Sequence, residues 1–203
     1  MAEISRIIAQ NGSADEKEIK MKIKFVTSAA AFCVFTLGIF AQGNMPMVGG
    51  SPMYPTKDIV DNAVHSKDHT TLVAAVKAAG LVDTLKGDGP FTVFAPTNAA
   101  FDKLPAGTVD TLLKPENQDQ LKKVLTYHVV PGRISSKELV AMIMKDGGQT
   151  QMKTVEGGTI TAMLDGNNVV LKDEKGGTAI VTQADVMQKN GVIHVIDTVL
   201  MPN

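Results

Sequence analysis

The sequence predicts an α+β fold, because helix-like and strand-like patterns occupy different halves of the chain. Between residues 56 and 145, apolar residues recur at spacings of three and four, the repeat of a helix with one buried face. From residue 150 onward the repeat shortens to two or becomes a continuous apolar run, which is typical of strands. The turn sequences DGNN (165–168) and EKGG (174–177) separate these runs and predict hairpins.

The first 43 residues have the composition of a leader. Met21 begins a segment that carries two lysines, then an apolar run from Phe25 to Phe40, then Ala41-Gln42-Gly43. This order predicts a signal peptide over residues 21–43, and hence a secreted, periplasmic or cell-surface protein. A membrane anchor is the alternative, but the run is shorter than the ~20 residues that a spanning helix needs. Residues 1–20 are polar and have no place in a signal peptide, so either Met1 or Met21 is the start.

Behind the leader, residues 44–55 (NMPMVGGSPMYP) are rich in Gly, Pro and Met without periodicity and predict a linker. Residues 56–203 then form one domain, which is long enough to bury a core without disulfides. This part of the chain contains no cysteine, which fits an exported bacterial protein.

Charge and motif content predict a protein that is neither an enzyme nor a nucleic-acid binder. Residues 44–203 contain 15 basic and 17 acidic residues, and no basic patch alternates with aromatic residues. No nucleophile elbow, phosphate-binding loop or zinc-protease motif is present. His65 and His69 are four residues apart, but two histidines do not complete a zinc site. We therefore expect no catalytic residue, metal or cofactor.

The predicted helices follow in order. Thr56 is expected to cap the first helix, and Gly80 to end the second. Thr97 caps a helix after a short buried strand at 91–95, and Ser135 with Glu138 has the spacing of a capping box. The apolar faces of the first, second, fourth and fifth helices consist of Ile59, Val60, Ala63 and Val64; Leu72, Val73, Val76 and Ala79; Leu121, Val124, Leu125 and His128; and Leu139, Met142 and Ile143.

Five strands are predicted after these helices. The last of them is apolar at both parities, with His194 on one side and Ile193 and Val195 on the other, so both of its faces are expected to be buried. A histidine in such a strand is interpreted as structural. The predicted strands are Met152–Val155, Thr159–Leu164, Val169–Lys172, Ala179–Val186 and Gly191–Leu200.

Three stretches together resemble the fasciclin-like (FAS1) domain family. They are FTVFAPTNAAF (91–101), LTYHVVPG (125–132) and NGVIHVIDTVLMP (190–202), and the resemblance extends over about residues 56–202. It implies two β-sheets arranged as a wedge, with helices packed around the N-terminal half. It also implies a secreted or surface-associated protein that mediates cell adhesion by binding proteins or glycans, without catalytic activity.

The resemblance also points to two stretches linked to partner binding in animal relatives. These are Tyr127-His128 and an Asp-Ile dipeptide that is matched here by Asp185-Val186. The turn at 131–133 lies beside the first stretch, so Val130 is expected to anchor a partner and Arg133 to lie at a polar rim. A purely structural role for Tyr127 and His128 is the alternative. The structural set comprises Phe94, Thr97, Asn98, Asn190, Gly191 and His194.

The expected partner is a surface protein or glycan, with peripheral association with a membrane or cell envelope also open. A second hypothesis is a binding protein for a small apolar ligand or glycan, held in a groove between helices and sheet. The sequence leaves the oligomeric state open.

Export generates the first testable prediction. Amino-terminal sequencing of the protein recovered from its host should begin near Gln42–Asn44, because signal peptidase cleaves after small residues. Recovery of a soluble cytoplasmic product with residues 21–43 intact would contradict it.

Overall fold

A seven-stranded ladder organises the computed structural model, which describes residues 45–203 of the chain. The strand order is β4-β3-β9-β8-β7-β6-β5, and β1 pairs with β2 in a separate hairpin. The strands are β1 Met47–Val48, β2 Ser51–Pro52, β3 Phe91–Pro96, β4 Val129–Pro131, β5 Gln149–Lys153, β6 Thr159–Asp165, β7 Asn168–Lys172, β8 Thr178–Gln188 and β9 Gly191–Ile196. The helices are α1 Ile59–Ala63, α2 Thr70–Ala78, α3 Val82–Lys86, α4 Asn98–Asp102, α5 Thr108–Leu112, α6 Gln118–Tyr127 and α7 Ser136–Lys145.

The ladder bends at β8 into two halves. Strands β3 and β9 run parallel, whereas the other neighbours in the ladder are antiparallel. The pairing of β8 with β9 is irregular between Val181 and Val186, and such bulges bend a strand. At the far ends of the ladder, the Val155 amide donates to the Val129 carbonyl at 2.8 Å, so the sheet nearly closes on itself.

Two buried clusters lie on opposite faces of β3 and β9. One contains Val93, Ala95, Ile193 and Val195 and packs against helices α1 to α6. The other joins Phe94 and Ile196 to the half of the sheet formed by β5 to β8, and to α7. The α+β class and the burial of both faces of β9 are therefore confirmed.

The prediction that residues 44–55 are a linker is wrong for the part that the structure describes, from residue 45. Gly49 and Gly50 take positive φ angles of 57° and 76°, which allows a two-residue turn between β1 and β2. The hairpin buries Val48 and Met53, with 6% and 2% of their surface exposed. The Lys67 amide donates to the Gly49 carbonyl at 3.2 Å and attaches the turn to the domain.

Other differences concern the ends of elements. Asp58, not Thr56, caps α1, and its Oδ1 accepts from the Asp61 amide at 2.7 Å. Helices α3 and α5 were not predicted, because five residues are too few to show a helical repeat. The capping box of Ser135 and the cap of Thr97 are confirmed.

The predicted signal peptide and residues 1–20 lie outside the described residues. Within residues 45–203, no helix is both long and apolar enough to cross a membrane.

The docking of the hairpin is testable by shortening one methionine. We expect Met53→Ala to lower the free energy of unfolding by roughly 2–5 kcal/mol, because the substitution leaves a cavity in the core. Met47→Ala is the matched control, since Met47 is 54% exposed in the same hairpin and should change stability little. Urea unfolding compares the two, and equal stability of both variants would mean that the hairpin is not docked.

Candidate functional site

His128 lies at the junction of α6 and β4 and is 3% exposed. Its Nδ1 lies 2.8 Å from the Val124 carbonyl, which can only accept, so Nδ1 carries the proton. Its Nε2 accepts from the Leu200 amide at 3.0 Å. Burial lowers the pKa of His128 to about 4 and outweighs the opposing effects of Val124 and Asp173. The neutral imidazole therefore joins the end of α6 to the C-terminal segment.

Tyr127 has no exposed surface and connects α6 to the opposite half of the sheet. Its hydroxyl donates to the Thr159 carbonyl at 2.6 Å and accepts from the Glu174 amide at 3.2 Å. Burial, with the nearby acidic side chains, raises the pKa of Tyr127 to about 12. Gly158 lies against the ring, where an added Cβ would be 2.8 Å from Cε2. The polar side-chain atoms of Tyr127 and His128 thus all form hydrogen bonds inside the domain.

Asp185 lies within the bulge of β8 and joins that strand to the start of α7. It has a φ of 59°, a left-handed conformation that Asp and Asn tolerate better than most residues. Its carboxylate accepts from the Ser136 amide at 2.7 Å and from the Ser136 hydroxyl. Its own amide faces Nδ1 of His194 at 3.4 Å. The next residue, Val186, is fully buried in the core beneath the helices.

His194 is the polar residue on the face of β9 that packs towards the second half of the sheet. Its Nε2 donates to the Ile134 carbonyl at 2.9 Å, and its ring stacks on Phe94 with centroids 5.7 Å apart. Burial lowers the pKa of His194, so the ring is neutral and Nδ1 remains an acceptor for the Asp185 amide. Together, His194 and Asp185 fix the segment that leads from β4 into α7.

The side-chain amides of Asn98 and Asn190 satisfy the ends of helices. Asn190 Oδ1 accepts from the Ile59 amide at 3.1 Å, while its Nδ2 donates to the Leu85 carbonyl at 2.7 Å. Asn98 Oδ1 accepts from the Thr71 amide at 3.0 Å at the start of α2. Gly191 follows Asn190, and any side chain there would collide with the backbone carbonyl of Phe91.

The structure corrects the predicted set of binding residues. Tyr127, His128, Val130 and Val186 are all buried, so none of them presents a surface to a partner. Val130 is 3% exposed because β4 pairs with β3 and turns this side chain into the second core cluster. An anchor at Val130 is therefore wrong, and Val130→Asp would disrupt the core.

Of the six predicted binding residues, Arg133 alone is exposed. Its Nη2 donates to the carbonyls of Gln188 and Lys189, at 3.0 and 2.9 Å. The structure therefore brings Arg133 to the turn between β8 and β9. Asp185 is partly exposed, but its carboxylate is hydrogen-bonded to Ser136 at the start of α7.

One surface feature was missed at the sequence level. A groove of about 260 Å³ lies between the N-terminal hairpin and α1. The groove was not predicted because residues 44–55 were interpreted as a linker. The available signal was an aromatic residue, Tyr54, and a cation, Lys57, close in sequence to the Gly-Gly turn. Its lining residues are Ser51, Pro52, Tyr54, Lys57, Asn62 and His65.

The internal cavities are apolar and small. Three of them, of about 40, 30 and 20 Å³, lie between the helices and β3 or β4. They are far below the several hundred Å³ typical of a site for an organic ligand. His69 borders the second cavity, and its Nδ1 is bonded to the Ser66 hydroxyl at 2.8 Å. Among the described residues, no group of three His, Cys, Asp or Glu side chains is arranged to hold a metal ion.

This fold and these three motifs define a class of protein. The family model of the fasciclin domain matches residues 67–202, and the chain belongs to that family. The pair of FAS1 domains from the insect cell adhesion molecule fasciclin I has a similar fold, with a TM-score of 0.64 and 20% identity over 71% of this chain and 51% of that chain.

Relatives of known sequence extend the similarity. Protein sll1483 of Synechocystis is 48% identical over 190 residues, which are 86% of this chain and 98% of the relative. Immunogenic protein MPB70 of Mycobacterium bovis is 39% identical and covers 69% of this chain and 66% of its own. Transforming growth factor-beta-induced protein ig-h3 of Sus scrofa is 34% identical over 73% of this chain, but this match spans only 20% of that protein.

The role of Asp185 is testable with two substitutions. Asp185→Ala should lower the free energy of unfolding by about 1–3 kcal/mol, because the Ser136 amide loses its acceptor and alanine disfavours a positive φ. Asp185→Asn should lose clearly less, since asparagine tolerates this conformation and keeps one acceptor oxygen. Urea unfolding of both variants is the measurement, and an alanine variant as stable as the asparagine variant would contradict the assignment.

Buried histidines generate a pH prediction. The pKa of His128 is about 4 in the folded chain against 6.5 in a free histidine, so the unfolded chain binds the proton more tightly. The stability is therefore complete above pH 6.5 and is lost as the pH falls towards 4, by roughly 3 kcal/mol for this residue. The pKa values of His69 and His194 are also lowered by burial and add to the same trend.

His128→Asn should therefore show a shallower loss of stability between pH 6.5 and pH 4.5, whatever its stability at neutral pH. His65→Asn, at an exposed histidine, is the control and should keep the steep loss of the parent. The free energy of unfolding by urea, measured at several pH values, separates the two. Parallel curves for the parent and His128→Asn would overturn the argument.

Proposed function

We propose that this chain is an exported, non-enzymatic adhesion module that binds a protein or glycan outside the cytoplasm. The observation that carries the proposal is the fasciclin domain over residues 67–202, which also builds the insect cell adhesion molecule fasciclin I. The leader-like segment at residues 21–43 supports export. A binding module of this kind needs an exposed surface and a rigid scaffold, but no reacting group.

The way the motifs are used supports the same proposal. The polar side chains of the family motifs form hydrogen bonds with backbone groups of neighbouring elements. These side chains belong to Tyr127, His128, Asn190 and His194. Because these side chains stabilise the interior of the domain, the proposed partner-binding surface lies at the exposed turns and the N-terminal hairpin. The alternative of a small apolar ligand receives less support, because the cavities between helices and sheet reach only about 40 Å³.

The proposed binding surface includes the turn at 131–133. Pro131 and Arg133 are exposed there, and Arg133 is held in place by the two carbonyls at the end of β8. A cation held by the fold loses little conformational entropy on binding, which favours recognition.

Adhesion is tested with beads that carry the chain as its host processes it. We expect these beads to attach to the outer surface of host cells more than beads carrying serum albumin. Arg133→Glu should weaken attachment several-fold, because it reverses a charge on the proposed surface. Lys145→Glu, an exposed lysine at the end of α7, is the matched control and should attach as the parent does.

Melting temperatures of both variants must lie near that of the parent for the comparison to hold. Attachment no better than that of albumin beads would contradict the proposed function, and equal attachment of both folded variants would exclude this surface.

A further inference from the structure

Three basic residues contact one another through the backbone of the turn between β8 and β9, and we name Lys57, Arg133 and Lys189 the basic cluster. The Lys189 amide donates to the Lys57 carbonyl at 2.9 Å, and the Arg133 guanidinium donates to the Lys189 carbonyl at 2.9 Å. All three residues are exposed. Within residues 45–203, the ion pairs involve Lys86, Lys103 and Lys123, so the basic cluster has no carboxylate partner in that range.

The acidic residues nearest the basic cluster form no ion pair with it, although the charge of Lys57, after the hydrogen bond from Lys86, contributes to lowering the pKa of Asp61. Asp61 and Asp58 begin α1, but both pair with Lys86, at 2.6 and 3.9 Å. Asp88 lies in the turn that Asn190 contacts and forms no ion pair with a described residue. The three cations of the basic cluster are therefore without a direct carboxylate partner among the described residues, in a part of the chain (44–203) that carries more acidic than basic residues.

The groove between the N-terminal hairpin and α1 adjoins the basic cluster, because Lys57 belongs to both. Lys57 Nζ lies 4.9 Å from the centroid of the Tyr54 ring, which is half-buried. His65 is exposed, and its Nδ1 is bonded to the Asp61 carbonyl at 2.8 Å, which leaves Nε2 for a ligand. The groove thus combines an aromatic ring, polar hydrogen-bonding groups and a cation.

We propose that the groove and the basic cluster together bind an acidic polysaccharide. The Tyr54 ring holds the Lys57 ammonium over its face, where this cation can meet an anionic group of the glycan. The sugar hydroxyls need polar partners such as His65 Nε2 and the Ser51 oxygen, which donates its proton to the His65 carbonyl at 2.6 Å and can still accept. Carboxylate or sulfate groups along the same glycan would meet Lys57, Lys189 and Arg133 in turn. This inference rests on the proposed adhesive function and specifies the chemistry of its partner.

Other polyanions fit the surface less well. Single-stranded nucleic acid is bound on several stacking aromatic rings, whereas the groove is lined by one. An anionic membrane binds amphipathic elements with an apolar face, whereas these groove walls carry Ser51, Asn62 and His65.

Binding is measured with the chain as its host processes it, on immobilised alginate, dextran sulfate and uncharged dextran. We expect binding to alginate or dextran sulfate but not to dextran, weakening as salt is raised. Preference for alginate would assign a carboxylate ligand, and preference for dextran sulfate a sulfate ligand. Either supports the proposal. Binding to dextran as strong as to the acidic glycans would overturn it.

The double variant Lys57→Gln/Lys189→Gln should bind the preferred glycan roughly tenfold more weakly, the loss of two exposed ionic contacts. Lys145→Gln/Lys153→Gln removes the same charge at exposed lysines of α7 and β5 and should stay within about twofold of the parent. If both double variants bind the glycan equally weakly, binding depends on the net charge of the protein and not on the basic cluster, which would overturn the proposal. Tighter binding to DNA or to anionic lipid vesicles than to either acidic glycan would also overturn it.

The bead assay separates this inference from the proposed function. Beads that attach to host cells but carry protein that binds neither acidic glycan would overturn the acidic polysaccharide and leave adhesion intact. Beads that fail to attach would overturn adhesion itself.

Discussion

The parallel pairing of β3 with β9 is the constraint on which the rest of the molecule depends. Both strands are buried on both faces, between the helices on one side and the second half of the sheet on the other. A polar group in such a position must find a partner inside the protein, because an unpaired buried group costs about 1–3 kcal/mol. His194 on β9 therefore requires the Ile134 carbonyl, which in turn fixes the segment between β4 and α7.

The same constraint explains where the family motifs lie. Asn190 directly precedes β9 and hydrogen-bonds to α1 and α3, while Asn98 follows β3 and hydrogen-bonds to the start of α2. His128 and Tyr127 join α6 to the C-terminal segment and to β6. The side chains of each motif thus connect neighbouring elements of the fold by hydrogen bonds. The motifs therefore define the internal scaffold of the domain.

Much of this fold is predictable because its signals are local. A capping box needs Ser135 and Glu138 three residues apart, and a two-residue hairpin at 165–168 needs only its turn sequence. Burial of β9 follows from its apolar residues at both parities. Such features depend on neighbours in the chain, so a single sequence contains them.

The candidate site was predicted less well because its contacts are distant in sequence. Val130 lies beside an exposed turn, and only its pairing with Thr92 shows that the side chain faces inward. Asp185 resembles a surface residue until Ser136, 49 positions earlier, is placed against its carboxylate. The hairpin at 47–52 is too short for a periodic pattern, and the groove exists only once this hairpin docks on α1.

The near closure of the ladder limits the ways in which another molecule can attach. A partner that adds a strand to a sheet needs an open edge with unpaired amides and carbonyls. Here the two outermost strands meet at the seam where Val155 bonds to Val129. A partner strand would first have to open that seam. The near closure therefore protects the two end strands of the ladder from edge-to-edge pairing with another molecule.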